Sequence, residues 1–259
     1  MVPRERRRRR AAAALGLGVV LGLTSVVAPP QAAGAGDGSS RIGITVVDGH
    51  LVTAVIGAVP TVGDAAGIRR YHDSGRFDAD RAAVAQAARA ALDLVVADRC
   101  PGYPLACAEQ GLAIVVDIDD TLVDWYAQYA KAGFALPGAV RQAAVQSCAT
   151  PAIAPVRALV QQAQRQGVAV LIVSGRRDTV RAATESCLRR RGIHGWDDLV
   201  LRTAAQDALP AATYKKQAVR ALMRQGWVPV LSIGDQAGDL TGSADTERFW
   251  LPNPLYTAR

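Results

Sequence analysis

The chain has 259 residues, half of them hydrophobic, and a formal charge of +7. Residues 1–35 hold six arginines and one glutamate, so +5 of that charge sits in the opening and only +2 in the remainder. This excludes the clustered basic face of a nucleic-acid-binding protein, and no nucleic acid duplex is expected as a partner. The apolar content is enough for one sizeable core, with or without an extension.

The opening is Arg4-Glu5-Arg6-Arg7-Arg8-Arg9-Arg10, followed by a run of apolar and small residues to Ala28, interrupted only by Thr24 and Ser25. A positive head, an apolar middle and a small-residue end make a secretory signal, with cleavage expected after Ala35 in Ala33-Gly34-Ala35. The rival is an uncleaved signal anchor, since the run nearly reaches membrane-spanning length. Alanine and glycine are weakly hydrophobic, so the expectation is a secreted, extracytoplasmic protein with no stable membrane insertion after cleavage. The arginine run also permits twin-arginine export.

Residues 36–40 read as a small-residue linker. Residues 41–55 form two β-rich runs around Asp48-Gly49, a favoured two-residue hairpin turn, so 36–67 is expected to be a linker and hairpin extension. Residues 60–67 read as loop. A helix opens at Asp78 and runs to Val96, with Val84, Ala88, Leu92 and Val95 at helical spacing. The elbow before it, with Tyr71, His72, Ser74, Gly75 and Phe77, either reaches over a site or packs; packing is the usual use of aromatic rings.

Four cysteines follow: Cys100, Cys107, Cys148 and Cys187. An even number in an exported chain points to disulfides. Three connectivities are open; Cys100 and Cys107 flank the turn-rich Pro101-Gly102-Tyr103-Pro104, and if that loop closes locally Cys148 and Cys187 would pair. Free buried thiols are the alternative.

Residues 112–116, Leu-Ala-Ile-Val-Val, form an unbroken apolar run, as expected of a strand buried on both faces of a parallel sheet. It runs into Asp117-Ile118-Asp119-Asp120-Thr121. Reactive groups in open α/β sheets sit just past the carboxyl ends of strands. Clustered aspartates there call for a cation with hard oxygen ligands such as Mg2+. The spacing suggests that Asp117 attacks phosphorus and Asp119 handles protons; an acidic, solvated turn at a strand end is the alternative.

Residues 124–150, with one helix from Asp124 and another after Pro137-Gly138, exceed what a plain crossover needs and are read as a small helical cap. Trp125, Tyr126 and Tyr129 would stack on a base or, as aromatics more often do, pack in the core. A helix over 156–166 ends at Gly167, and a strand over 168–173 ends at Ser174-Gly175-Arg176. There a helix start would offer its N–H groups to phosphate. Ser174, Gly175, Arg176 and Thr121 are the expected phosphate-binding set. A helix over 178–190 and a short strand over 199–201 follow.

A helix opens near Thr213-Tyr214-Lys215-Lys216. The chain has 27 arginines and three lysines, two of them here. Lys215 is expected to neutralise an aspartate and a phosphoryl oxygen as a point charge, with Lys216 its solvated neighbour. A strand over 228–233 leads to Gly234-Asp235-Gln236-Ala237-Gly238-Asp239, a second acidic strand end. Asp235 would complete the metal site beside Asp117, and Asp239 would sit behind it or hold Lys215. A last strand over 248–251 enters Pro252-Asn253-Pro254-Leu255-Tyr256.

These four strand-end motifs together resemble the haloacid-dehalogenase-like (HAD) superfamily, and within it the class B-type and plant vegetative-storage-protein-like acid phosphatases. The resemblance covers roughly residues 68–256. It implies an α/β fold with a Rossmann-like parallel sheet, a phosphatase domain over 68–259 and a cap over about 124–150. It implies a small phosphomonoester as substrate, Asp117 as nucleophile and Asp119 as acid/base. Mg2+ would be held by the Asp117 and Asp235 side chains and the Asp119 backbone carbonyl. A catalytically weak storage or binding protein, a dehalogenase, or transfer to an alcohol acceptor are the alternatives on this fold; the presence of Asp119 argues against the dehalogenase.

Overall fold

The computed structural model describes residues 41–101 and 104–257, so the signal reading of residues 1–35 and the linker of 36–40 lie outside the described residues. The apolar run becomes β3 (Leu112–Val116), buried at every position. It lies within a seven-stranded sheet of order β1 (Ile42–Val47), β2 (His50–Val55), β7 (Glu247–Trp250), β6 (Val228–Gly234), β3, β4 (Ala169–Arg177) and β5 (Asp198–Arg202). Every pairing is parallel except β1 with β2.

Alternation along β3 and β4 divides the core into two layers. Ile114, Val116, Val170 and Ile172 join the cluster that holds Leu92 of α2 (Arg76–Arg99) and Leu159 of α6 (Ala154–Arg165). Ala113, Val115, Leu171 and Val173 face Tyr214, Ala218, Val219 and Leu222 of α8 (Ala211–Arg224). Helices on both faces explain why these strands carry no polar alternation.

The hairpin turns at Asp48-Gly49, both with positive φ (49° and 79°), as the two-residue turn requires. It continues the sheet, because Thr53 and Ala54 of β2 pair with Phe249 and Trp250 of β7. The expected loop over 60–67 is corrected in part: α1 (Ala65–Asp73) begins there, its N-cap Asp64 accepting from the Gly67 amide. The elbow is packing. Tyr71 lies against Phe77, ring centroids 5.3 Å apart, and donates its hydroxyl to buried Asp80 at 2.5 Å. α2 opens two residues earlier than expected, after Gly75 at φ 76°, a conformation glycine adopts freely.

Between β3 and β4 the cap consists of α4 (Tyr126–Lys131) and α5 (Gly138–Ser147). Its neck is closed by the Val123–Ala152 bridge and by the Asp124 amide donating to the Pro151 carbonyl. Trp125, Tyr126 and Tyr129 are buried, so they pack as expected. The disulfides are Cys100–Cys107, which ties the end of α2 to the middle of α3 (Pro104–Gln110), and Cys148–Cys187, which ties the end of α5 to α7 (Arg181–Arg190). The free-thiol alternative is thereby set aside.

One local expectation fails. β4 runs through Ser174 and Gly175 to Arg177, a 3-10 turn covers Asp178–Val180, and α7 begins only at Arg181. Gly175 therefore opens no helix. The register with β5 shifts between Ser174 and Arg177, so the strand carries an irregularity where a stop was expected. Among the described residues no helix is long and apolar enough to cross a membrane.

Candidate active site

Because β3, β4 and β6 are parallel, Asp117, Ser174 and Asp235 all arrive at one edge of the sheet. The Asp117 amide is fixed by donating to the Ile233 carbonyl at 3.3 Å. Carboxylate oxygens of Asp117, Asp235 and Asp239 lie within 4.8 Å of one another, and all three residues are buried. Lys215, projecting from α8, donates to Asp117 Oδ1 at 2.7 Å and pairs also with Asp239 Oδ1. Lys216 is exposed, as expected for the solvated neighbour. Asp239 is held further by accepting the Gln236 amide at 2.9 Å.

Asp235 has a different environment. Its oxygens accept from Thr121 Oγ1 at 3.2 Å, Gln236 Nε2 at 2.7 Å and Asn253 Nδ2 at 2.7 Å, all neutral donors. Three buried carboxylates against one ammonium leave two negative charges in a small volume. Hard oxygen donors around a charge deficit of two fit a divalent cation. The electrostatics agree. Burial, then Asp239 and Asp117, push Asp235 well above the usual carboxylate range. Burial raises Asp117 to about 7 despite the neighbouring Lys215. Burial works against the Lys215 charge, but Asp117 and Asp239 outweigh it and hold its pKa above the ordinary lysine value. A bound cation would reverse the direction for both aspartates.

Asp119 sits in a cage of donors. Arg176 reaches it through Nε and Nη2, the latter at 2.7 Å from Oδ1. Arg141 of α5 lies 3.3 Å from Oδ2, and Trp125 Nε1 donates to Oδ1 at 2.6 Å. Burial alone would raise Asp119, but the two guanidiniums outweigh it and hold the carboxyl well below the usual range. Asp120, in the left-handed region at φ 53°, is fully buried and caps the cap entrance by accepting the Trp125 amide at 3.0 Å. Burial pushes it up to about 8.

The expected site residues thus fall into two groups. Asp117, Asp235, Asp239 and Lys215 come together as one cluster. Asp119 and Arg176 form a second, with Ser174 buried beside them and accepting the Arg176 amide at 3.3 Å. Thr121 is fully buried and donates its hydroxyl to Asp235. Arg176 is paired with Asp119. Gly175 is exposed between them. Arg141, Asn253 and Tyr256 were not anticipated. The Tyr256 hydroxyl lies 3.5 Å from the Asp119 carbonyl, and its ring stacks on Tyr129 at 5.6 Å.

Solved structures share this mostly parallel α/β fold. A class C acid phosphatase from Bacillus anthracis superposes with a TM-score of 0.58, over 72% of this chain and 82% of that one, at 21% identity. The family model described as HAD superfamily, subfamily IIIB (acid phosphatase) matches residues 59–259, and the chain belongs to that family. Similar proteins include Acid phosphatase 1 of Solanum lycopersicum, 31% identical over 55% of this chain and 57% of the relative. Vegetative storage protein 1 of Arabidopsis thaliana is 30% identical over 55% and 54%. The chain spans little more than half the length of these relatives.

Proposed function

We propose that the protein is a secreted, magnesium-dependent phosphomonoesterase that works through an aspartyl-phosphate on Asp117. The observation that carries this is the cluster of Asp117, Asp235 and Asp239 with the single cation Lys215. Lys215 takes Asp117 Oδ1, which leaves Oδ2 for bond formation with phosphorus. Asp117 and Asp235, with the Asp119 carbonyl, would hold Mg2+, whose charge neutralises phosphoryl oxygens as negative charge spreads over them.

Asp119 is the proton carrier in this reading. A phosphoryl group beside Arg176 and Arg141 competes for their N–H groups, and the carboxyl then binds a proton more readily. It passes that proton to the departing ester oxygen and later takes one from the water that opens the acyl phosphate. The two disulfides fit an oxidising compartment, in keeping with export. The storage-protein relatives are the reason to test activity directly. Asp117→Asn is expected to reduce phosphate release from 4-nitrophenyl phosphate by more than about 10^3, with an unchanged far-UV spectrum. Turnover within about tenfold of the parent overturns the nucleophile assignment. Chelation should stop wild-type turnover, and added Mg2+ should restore it.

A further inference from the structure

After β7 the chain from Leu251 to Tyr256 forms neither helix nor strand, yet it is firmly anchored. Leu251 and Leu255 are buried in the larger core cluster, and the Leu251 amide donates to the Gly234 carbonyl at 2.9 Å. Between these leucines, Pro252 and Pro254 restrict the backbone on either side of Asn253, so little conformational freedom is lost in holding its side chain. The orientation of that side chain follows from its partners. Asn253 Oδ1 accepts the Leu255 N–H at 2.8 Å, which only the oxygen can do, so the Nδ2 end faces Asp235 and donates to its Oδ2 at 2.7 Å.

The same stretch grips Asp235 twice. Trp250 Nε1 donates to the Asp235 carbonyl at 2.9 Å and fixes the main chain, while Asn253 fixes the carboxylate. Gln236 Nε2 also donates to Oδ2, at 2.7 Å, so both lone pairs of that oxygen are taken. Oδ1 accepts the Thr121 hydroxyl at 3.2 Å and keeps capacity for a further partner. At the other end of the stretch the Tyr256 hydroxyl lies 3.5 Å from the Asp119 carbonyl. The tail thus touches both Asp235 and the Asp119 main chain, although it follows them in sequence and belongs to neither strand end.

We infer that residues 250–256 are a strap that sets the cation affinity of the acidic cluster, with Asn253 the positioning residue for Asp235. The inference rests on the metal-dependent reading above and adds to it what holds the carboxylate still. A small hard cation demands near-ideal ligand geometry. A carboxylate already held in one orientation gives up little freedom when the ion arrives. Without the Asn253 N–H, Oδ2 regains a lone pair and the carboxylate can turn away from the ion.

The test is calorimetric titration of the chelator-stripped full chain with Mg2+, in the absence of substrate. Asn253→Leu, which keeps the volume and removes the donor, is expected to weaken Mg2+ binding about 10- to 100-fold. Trp250→Phe, which keeps a ring and loses only the N–H to the Asp235 carbonyl, should weaken it about threefold to tenfold. Leu92→Ala, fully buried on α2, should lower the melting temperature and yet leave the Kd within about twofold of the wild type. Asn253→Leu decides, and Trp250→Phe decides should the first variant not fold. A Kd within about twofold of the wild type in the deciding variant, or an equal weakening in Leu92→Ala, overturns the strap and leaves the metal reading standing. A wild type that binds no Mg2+ overturns both.

Discussion

Arg141 of α5 lies 3.3 Å from Asp119 of the loop after β3, its guanidinium over the rings of Trp125 and Tyr256 at 4.9 and 5.0 Å from their centroids. Cap, core and C-terminal tail therefore meet on one side chain. Arg141→Leu is expected to lower kcat/KM for 4-nitrophenyl phosphate about 10- to 100-fold, mainly through kcat, because a donor aimed at developing charge is lost. Arg141→Lys should recover only part, since an ammonium cannot reproduce the planar fork. Steady-state kinetics decide: a loss of stability with unaltered kcat/KM would make Arg141 a packing residue.

Asp235 is buried among neutral donors, so in the metal-free protein its charge is uncompensated. Asp235→Asn is expected to raise the melting temperature in chelator and to abolish the rise on adding Mg2+. For the wild type, ion at 100 times its Kd should stabilise by about 2.7 kcal/mol. Thermal melts of both proteins with and without Mg2+ test this without any activity assay.

Cys148–Cys187 closes a sequence separation of 39 residues, and Cys100–Cys107 one of 7. On the chain-entropy estimate, replacing the first pair by alanines costs about 4 kcal/mol and the second about 2 kcal/mol. Urea denaturation of the two double variants should show that order. The first should also weaken turnover, because that bridge fixes the end of the helix carrying Arg141. Equal stabilities, with full activity in both, would show that the cap is held by packing alone.

Tyr71 gives the clearest pH signature. Burial first, and then the hydrogen bond to Asp80, raise its pKa above the usual tyrosine value of 10.0. A folded value above the unfolded one means that its contribution is complete below about pH 10 and is lost as the pH climbs toward the folded value. Tyr71→Phe is expected to cost about 1–3 kcal/mol at neutral pH, because fully buried Asp80 loses its hydroxyl donor. The gap between variant and wild type should narrow above about pH 10 in urea denaturation. A gap independent of pH would separate Tyr71 from that effect.

The acidic strand ends were legible because β3 and β6 are buried on both faces. An apolar run that stops at a carboxylate marks a sheet edge without help from the rest of the chain. Lys215 stood out as a rarity in an arginine-rich sequence. Arg141 did not, for the same reason: one more arginine on a short helix carries no signal, and only the folded cap brings it to Asp119. α1 was hidden because it is nine residues long with Gly67 in its first turn. β4 ran on past its expected end because Ser174-Gly175 reads locally as a helix start, while pairing with β5 carries the strand to Arg177. Asn253 lay in plain view between two prolines, yet nothing local says that its amide reaches Asp235.

The pairing of β2 with β7 has a consequence for biogenesis. The hairpin precedes its partner strand by most of the described residues. Until the ribosome has finished β7 the hairpin has no edge to dock on, and such distant pairings form slowly. Docking of the hairpin and the Asn253 amide on Asp235 thus mature together, once β7 is in place. A chain cut short before residue 247 would lack both, and would leave β6 as a bare edge open to self-association.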